Sequence, residues 1–391
     1  MHASSFGKLE VFGFSKADCL QSSNQQLFEG KGKFGMIANE LKRCLDERSV
    51  SLLLEWYRQN KRDLPWRKTK DPYHIWLSEI MLQQTRVEAV KPYYARFLAA
   101  APDVKALSEM PEDELMKLWE GLGYYSRARN LQKAARTVME DYDGVIPNSY
   151  EKLLRLSGIG EYTAGAIASI AFGLRVPAID GNVLRVLSRL CGSYEDIALP
   201  ETKKYFRDLL SPCVPLEAGD FTQALIELGA TVCAPNVAPR CPVCPLRDVC
   251  VAHRKGLEEL LPIKSAKKTR RIEQKTVLIL CDGSRTALRK RPSKGLLAGL
   301  YELPNTEGHL SDDAVRDYVR KIGFEPLRIE RIEDAKHIFT HIEWHMIAYT
   351  VRITPEFDGK EGSEGTFLVS NDDLHAHYAI PSAFASYTKY L

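Results

Sequence analysis

No run in the 391-residue chain approaches the roughly 18 consecutive apolar residues of a membrane-spanning helix, so an integral helical membrane protein is excluded. Charge of one sign is missing as well. Lys and Arg number 54 against 51 Asp and Glu, a net of +3. That balance is too mild to establish nucleic-acid binding and permits it only where cations cluster. With 25 Gly and 20 Pro the chain is neither collagenous nor of low complexity, and 45% hydrophobic with 27% charged residues is an ordinary globular balance. The N-terminal stretch has no cationic segment followed by an apolar one, so secretion is not expected. A cytoplasmic location, nucleoid-associated if the source is bacterial, is the expectation. A pure disulfide framework is disfavoured, because the nine cysteines are an odd count.

What is present is a cluster. Cys233, Cys241, Cys244 and Cys250 fall within 18 residues, with seven, two and five residues between successive cysteines. Four thiolates at such spacing point to a metal centre, either zinc or iron–sulfur, in a reducing compartment.

The length suggests two or three domains. Residues 1–38 are rich in Ser, Gly, Gln and Lys without periodicity and read as a flexible extension. From Met36 to Tyr57 the spacing of Ile37, Leu41, Leu45, Leu52, Leu53 and Trp56 predicts one amphipathic helix. The pattern stays helical to about residue 250, interrupted by Pro and Gly, which makes 39–262 an all-α domain. Residues 263–275 hold six cations and one acid. They read as a solvated linker or as a basic strap along a polyanion. Beyond them, Thr276–Leu280, Thr286–Arg291 and Met346–Val351 are strand-like, and Asp312–Ile322 is a helix capped by Ser311 and stopped by Gly323. Residues 276–391 are therefore a second, α+β domain.

Four further motifs carry chemistry. Leu156–Ala166 places Gly158 and Gly160 between two helices, where the N–H groups of a new helix can hold a phosphate. A plain helix–helix turn has the same look. Ala178-Ile179-Asp180-Gly181-Asn182 puts Asp180 at a helix start, where Asp is also simply a good cap. Glu79 has Ile75, Trp76 and Leu82 at helical neighbour spacing, and a carboxyl in such apolar surroundings holds its proton nearer neutrality. Gly121–Asn130 sets aromatics beside Arg127 and Arg129 on a glycine turn. That suits base stacking with phosphate contact, or core tyrosines with surface arginines.

In this order the features resemble the helix-hairpin-helix DNA glycosylase superfamily with a [4Fe–4S] cluster. Leu64-Pro65-Trp66-Arg67, the segment around Glu79, Gly121–Leu131 and Ala178–Asn182 are similar to the MutY-type adenine DNA glycosylases. The resemblance covers roughly residues 46–391. It implies double-stranded DNA carrying adenine opposite 8-oxoguanine, or opposite guanine, as substrate, a monomeric enzyme, and no strand cleavage. It implies that Glu79 protonates adenine, that Asp180 stabilises the cationic sugar, and that Tyr162 and Asn182 support them. It places Gln84 and Tyr124 as wedges, Thr85 and Leu122 near 8-oxoguanine, and Trp66, Arg67 and Leu82 around the adenine. The chemistry requires one acid protonated and one ionised, and an apolar helix and a helix N-terminus are expected to separate the two in that sense.

The cluster departs from the family in one respect: seven residues, not the usual six, separate Cys233 from Cys241. The C-terminal domain resembles the Nudix-like domain of the same family, which reads 8-oxoguanine. The matching loop is Phe339-Thr340-His341. The helix that would carry metal-binding glutamates has Arg320 and Lys321 instead, so no nucleotide hydrolysis is expected. The rivals are an endonuclease III-like enzyme, which needs a lysine where Tyr162 stands, a thymine-mismatch glycosylase, and a non-catalytic iron–sulfur DNA-binding protein.

Overall fold

The computed structural model describes residues 37, 39–235, 237–266, 269–354 and 365–391. Its helices up to the cysteine cluster are α1 (Glu47–Asn60), α2 (Pro72–Leu82), α3 (Val87–Ala100), α4 (Val104–Glu109), α5 (Glu112–Leu118), α6 (Ser126–Asp141), α7 (Tyr150–Leu153), α8 (Glu161–Ile170), α9 (Gly181–Cys191), α10 (Pro200–Leu210) and α11 (Ala218–Thr231). After the cluster come α12 (Val251–Lys255), β1 (Arg271–Cys281), β2 (Arg285–Lys290), β3 (Tyr301–Glu302), β4 (Asn305–Glu307), α13 (Asp312–Lys321), β5 (Pro326–Ile338), β6 (Ile342–Ile353), β7 (Thr366–Ser370) and α14 (Asn371–His377).

The chain forms two compact units that do not follow sequence order. One takes residues up to Lys61 together with Ile179–Lys264, and the other takes Arg62–Ala178 with Ser265–Leu391. The boundaries read from sequence, at 262 and 276, describe the composition of the chain and not this division.

In the first unit, α1 buries Leu53, Leu54 and Tyr57 in one core with Val183, Leu187 and Leu190 of α9 and Phe221, Leu225 and Leu228 of α11. The single helix expected over 36–57 is broken. The backbone turns at Leu45-Asp46, and the Asp46 side chain accepts from Ser49 N–H at 2.8 Å, starting α1 anew. Met36 and the residues before it, including the expected flexible extension, lie outside the described residues, as does Ala38.

In the second unit, α2 to α8 share a core built on Trp76, Phe97, Trp119, Leu131 and Ile167. α2 starts because Asp71 accepts from the N–H groups of Tyr73 and His74 and Pro72 stands in the first turn. α8 packs by backbone contact: a Cβ on Gly165 would lie 2.4 Å from the Pro177 carbonyl oxygen.

The same unit holds a seven-stranded sheet ordered β3-β2-β1-β6-β5, with β4 on β1 and β7 on β2. β1 and β6 run parallel from Arg271↔Ile342 to Cys281↔Arg352. Alternation along β1 sends Val277 and Ile279 into one core, with Trp344, Met346 and Phe384. It sends Leu278 and Leu280 into another, with Val315 and Val319 of α13. β1 begins at Arg271, so Arg271–Lys275 is strand and not linker, because each of these residues pairs with β6. Ser311 caps α13 and Gly323 adopts φ +98°, as the pattern predicts.

Candidate active site and metal centre

Glu79 lies on α2 between Ser78 and Ile80 and is only 7% exposed. Tyr162, in the first turn of α8, donates its hydroxyl to Glu79 Oε2 at 2.7 Å. One turn on, Gln83 Nε2 donates to Thr163 Oγ1 at 3.3 Å. Two of the expected site residues are therefore joined directly, through the pairing of α2 with α8 in one core. Gly160 is the N-cap of α8 without any side-chain cap bond, and Gly158 holds φ +76°. Trp66 is buried edge-on against Tyr94, Leu82 is half-buried, and Arg67 donates to the Arg62 carbonyl at 3.2 Å.

In the other unit, Asp180 caps α9. One carboxylate oxygen accepts from Val183 N–H at 2.8 Å and the other from Asn182 Nδ2 at 2.7 Å. Burial pushes the Asp180 carboxyl above the ordinary aspartate value. The Val183 and Asn182 donors and the Arg185 guanidinium oppose that shift without cancelling it. The helix N-terminus is expected to favour the ionised form. The dipole acts in the expected sense, but desolvation is larger.

Around the glycine turn, Gly121 and Gly123 take φ +92° and +68°, and two side chains the resemblance names as wedges are themselves left-handed, Gln84 at +58° and Tyr124 at +48°. Tyr124 is 46% exposed, and its hydroxyl lies 3.2 Å from Thr340 Oγ1 in the β5–β6 loop. A cavity of about 550 Å³ is lined by Leu122, Tyr124, Leu297, Phe339, Thr340 and His341 among others, so the glycine turn and the loop read from sequence share one concavity. Thr85 receives a hydrogen bond from Arg127 Nη2 at 3.3 Å. The arginines of this motif are engaged within the protein. Arg127 is 8% exposed with its guanidinium on backbone carbonyls, and Arg129 pairs with Glu112 at 2.6 Å.

The four cysteines are free thiols and line one small, apolar cavity with Arg189, His253 and Glu258. Burial pushes the thiols of Cys241, Cys244 and Cys250 up, Cys244 to about 12, so it takes a bound cation to hold them as thiolates. Cys233 is fixed at the end of α11: its carbonyl accepts from Arg185 Nε at 2.8 Å and its Sγ from Arg189 Nη1 at 3.2 Å. The longer loop is tied back by Arg240, whose guanidinium donates to the Thr231 carbonyl. Four soft sulfur donors around one cavity fit a thiolate-bound centre. A second donor set, Cys241, His253 and Glu258, has its ligand atoms within 4.8 Å of one another.

Sequence reading missed the buried arginines Arg127, Arg185 and Arg189 and the loop Gly295–Ala298 that closes the cavity. An arginine in a helix looks solvated by pattern. The signal that could have found these three was their position on otherwise apolar helix faces.

A helical domain with an acid–phenol pair, a helix-capping carboxylate and a cavity lined by four cysteines, followed by a mixed sheet, fits a base-excision glycosylase. Residues 77–213 match the HhH-GPD superfamily of base excision DNA repair proteins, and residues 276–390 match the NUDIX domain. The adenine DNA glycosylase of Mus musculus is 35% identical over 362 residues, covering 78% of this chain and 70% of that protein. Its counterpart in Homo sapiens is 35% identical over 384 residues, covering 83% and 70%. That of Buchnera aphidicola subsp. Baizongia pistaciae is 36% identical over 299 residues, covering 74% and 82%. Among solved structures, a thermostable thymine-DNA glycosylase is 34% identical with a TM-score of 0.49, covering 53% of this chain and 95% of that one. The chain belongs to the adenine DNA glycosylases: it is an enzyme of base-excision repair that hydrolyses the N-glycosidic bond of adenine in DNA.

Replacing Asn182 by Leu removes a donor that lowers the Asp180 pKa, so burial then acts against fewer opponents. Asp180 is expected to titrate at a higher pH in Asn182→Leu than in the parent. Carboxyl ¹³C NMR, with the signal assigned by its loss in Asp180→Asn, measures this. An unchanged or lower value contradicts it.

Proposed function

We propose that the substrate is duplex DNA with adenine opposite 8-oxoguanine, and more weakly opposite guanine, and that the enzyme acts without an amine nucleophile. The observation that carries this reading is the 2.7 Å bond from Tyr162 to the buried Glu79. A phenol stands where a strand-cleaving relative needs an amine, and a phenol cannot form a Schiff base. Glu79 gives a proton to the adenine leaving group, held in orientation by Tyr162. Asp180, with two donors fixing its oxygens, supplies negative charge beside the oxocarbenium-like sugar. Asn182 keeps the Asp180 carboxylate in that position.

Gln84 and Tyr124 enter the duplex as the adenine leaves the stack. Thr340, with Leu122 in the same cavity and with Thr85, reads the base opposite. A hydroxyl both donates and accepts, which suits a base whose edge has gained both a donor and an acceptor by oxidation. Arg320 and Lys321 stand where a hydrolysing relative needs metal-binding glutamates, and cations there repel a metal, so the Nudix-like domain recognises and does not hydrolyse. Cys233, Cys241, Cys244 and Cys250 hold a [4Fe–4S] cluster, which supplies structural and redox chemistry when bound.

Glu79→Gln keeps the side-chain shape and removes the proton donor. Adenine release is expected to be abolished while binding to the mismatched duplex stays within about 1 kcal/mol of the parent. Single-turnover cleavage at the parental rate would defeat the assignment. Thr340→Ala is expected to cost about 1–3 kcal/mol of discrimination between 8-oxoguanine and guanine. The readout is the ratio of release rates on two duplexes differing only at that base, at one salt concentration, and an unchanged ratio removes Thr340 as the reader. Protein purified without oxygen is expected to hold about four irons per chain, and Cys244→Ala to lose them. Stoichiometric zinc without iron would overturn the cluster.

A further inference from the structure

The Gly121–Asn130 motif does something in the structure that its sequence does not announce. Arg127 Nη1 donates to the carbonyls of Ile80 and Met81, each at 2.9 Å, and of Gln83 at 2.6 Å. Its Nη2 donates to the carbonyls of Leu122 and Gly123, each at 2.9 Å, and to Thr85 Oγ1 at 3.3 Å. One guanidinium thus joins three pieces of backbone: the last turn of α2, the segment Gln83–Thr85, and the turn Gly121–Gly123.

The need for it is local. α2 carries Glu79 and ends without a left-handed glycine. Its C-cap Gln83 has φ −58° and ψ 111°, and Gln84 then turns to positive φ. The last carbonyls of a helix want donors, and the negative end of its dipole favours a cation. On the other side, Tyr124 is held at positive φ two residues before α6, with the Arg127 guanidinium 5.7 Å from its ring and 5.3 Å from that of Trp119. Both strained side chains are therefore referred to the same fixed group. Lysine could not reproduce this, since it lacks the planar fork that reaches both segments at once.

We propose that Arg127 is a positioning residue that couples Gln84 to Tyr124, so that the two side chains enter the duplex as one unit, in register with the helix that carries Glu79. This rests on the reading of Gln84 and Tyr124 as the wedge.

The test is a mutant cycle in the full-length protein. Arg127→Met removes the donors at similar length, and Arg127→Lys keeps the charge. Gln84→Ala and Tyr124→Ala remove the wedge. Two quantities are read on a duplex with adenine opposite 8-oxoguanine: the fluorescence of a 2-aminopurine placed beside the mispair, which reports unstacking, and the single-turnover rate of adenine release. Misplacement of about 1 Å costs on the order of 100-fold in rate. Arg127→Met is expected to slow both unstacking and release by roughly 10- to 100-fold, with Arg127→Lys intermediate. In a Gln84→Ala/Tyr124→Ala background, the same Arg127→Met change is expected to cost less than about twofold more, because there is nothing left to position.

A merely structural role would multiply the defects in full, and that result overturns the proposal. If Arg127→Met does not fold, as judged by its thermal melt, the cycle is read with Arg127→Lys and the same criterion applies. If Gln84→Ala and Tyr124→Ala each leave unstacking unchanged, the wedge reading itself falls and the coupling with it. Defects in both single variants that are fully additive with Arg127 remove the coupling alone.

Discussion

A single buried guanidinium, that of Arg185, organises the carboxylate side of the chemistry. It donates to the carbonyls of Cys233 at 2.8 Å, Gly229 at 2.8 Å and Gly181 at 3.3 Å, and to Asn182 Oδ1 at 2.9 Å. Because the guanidinium can only donate, the Asn182 amide must turn its oxygen to it, which leaves Nδ2 for Asp180. The carboxylate is thereby oriented from behind by an amide that has no freedom to flip. The arrangement leaves no room on α11: a Cβ on Gly229 would come within 2.6 Å of Asn182 Cβ. Each buried acceptor left unpaired would cost about 1–3 kcal/mol, so the capping of α9, the end of α11 and the first cysteine are held by one group.

The other unit uses the same physics with different partners. Arg127 satisfies carbonyls where α2 stops, and in the sheet Arg289 and Arg291 take the two oxygens of Glu302, which is almost fully buried, at 2.8 Å and 2.6 Å. Burying a charge is tolerable only when it is paired and hydrogen-bonded. Here the paired charges sit where regular backbone ends, so each stiffens a junction that packing alone would leave loose. The sheet domain is joined to α5 and the segment after it by polar contacts. Glu120 Oε1 accepts from Ile380 N–H at 2.7 Å, and Lys117 Nζ donates to the Tyr378 carbonyl at 3.0 Å.

Much of this was legible. Capping residues announce themselves by type, and Asp180 and Ser311 both cap the helices their positions predicted. Glu79 was read as buried because its helical neighbours are apolar, and they are. β5 was invisible because its half-buried residues Ile329, Ile332 and Ala335 are separated by pairs of exposed ones, with Arg328, Glu330, Arg331 and Glu333 along it, so neither alternation nor an apolar run marks it. The break at Leu45-Asp46 was missed because the apolar spacing continues across it while the Asp46 cap restarts the helix. The upward push on the Asp180 carboxyl is hidden from the sequence for a different reason. Desolvation depends on what covers a group in three dimensions, and a helix start is a one-dimensional signal.

The discontinuous unit has a consequence for synthesis. α1 buries Leu53, Leu54 and Tyr57 against α9 and α11, yet the 117 residues from Arg62 to Ala178 are translated between them and belong to the other unit. At about 5–20 residues per second, the apolar face of α1 waits on the order of ten seconds for its partners. Closing a loop of that length is entropically slow but costs little more than a short one in stability. During that interval α1 has no core of its own, so a nascent chain halted shortly before Ile179 presents this helix to chaperones and proteases, whereas one halted after α11 has already covered it.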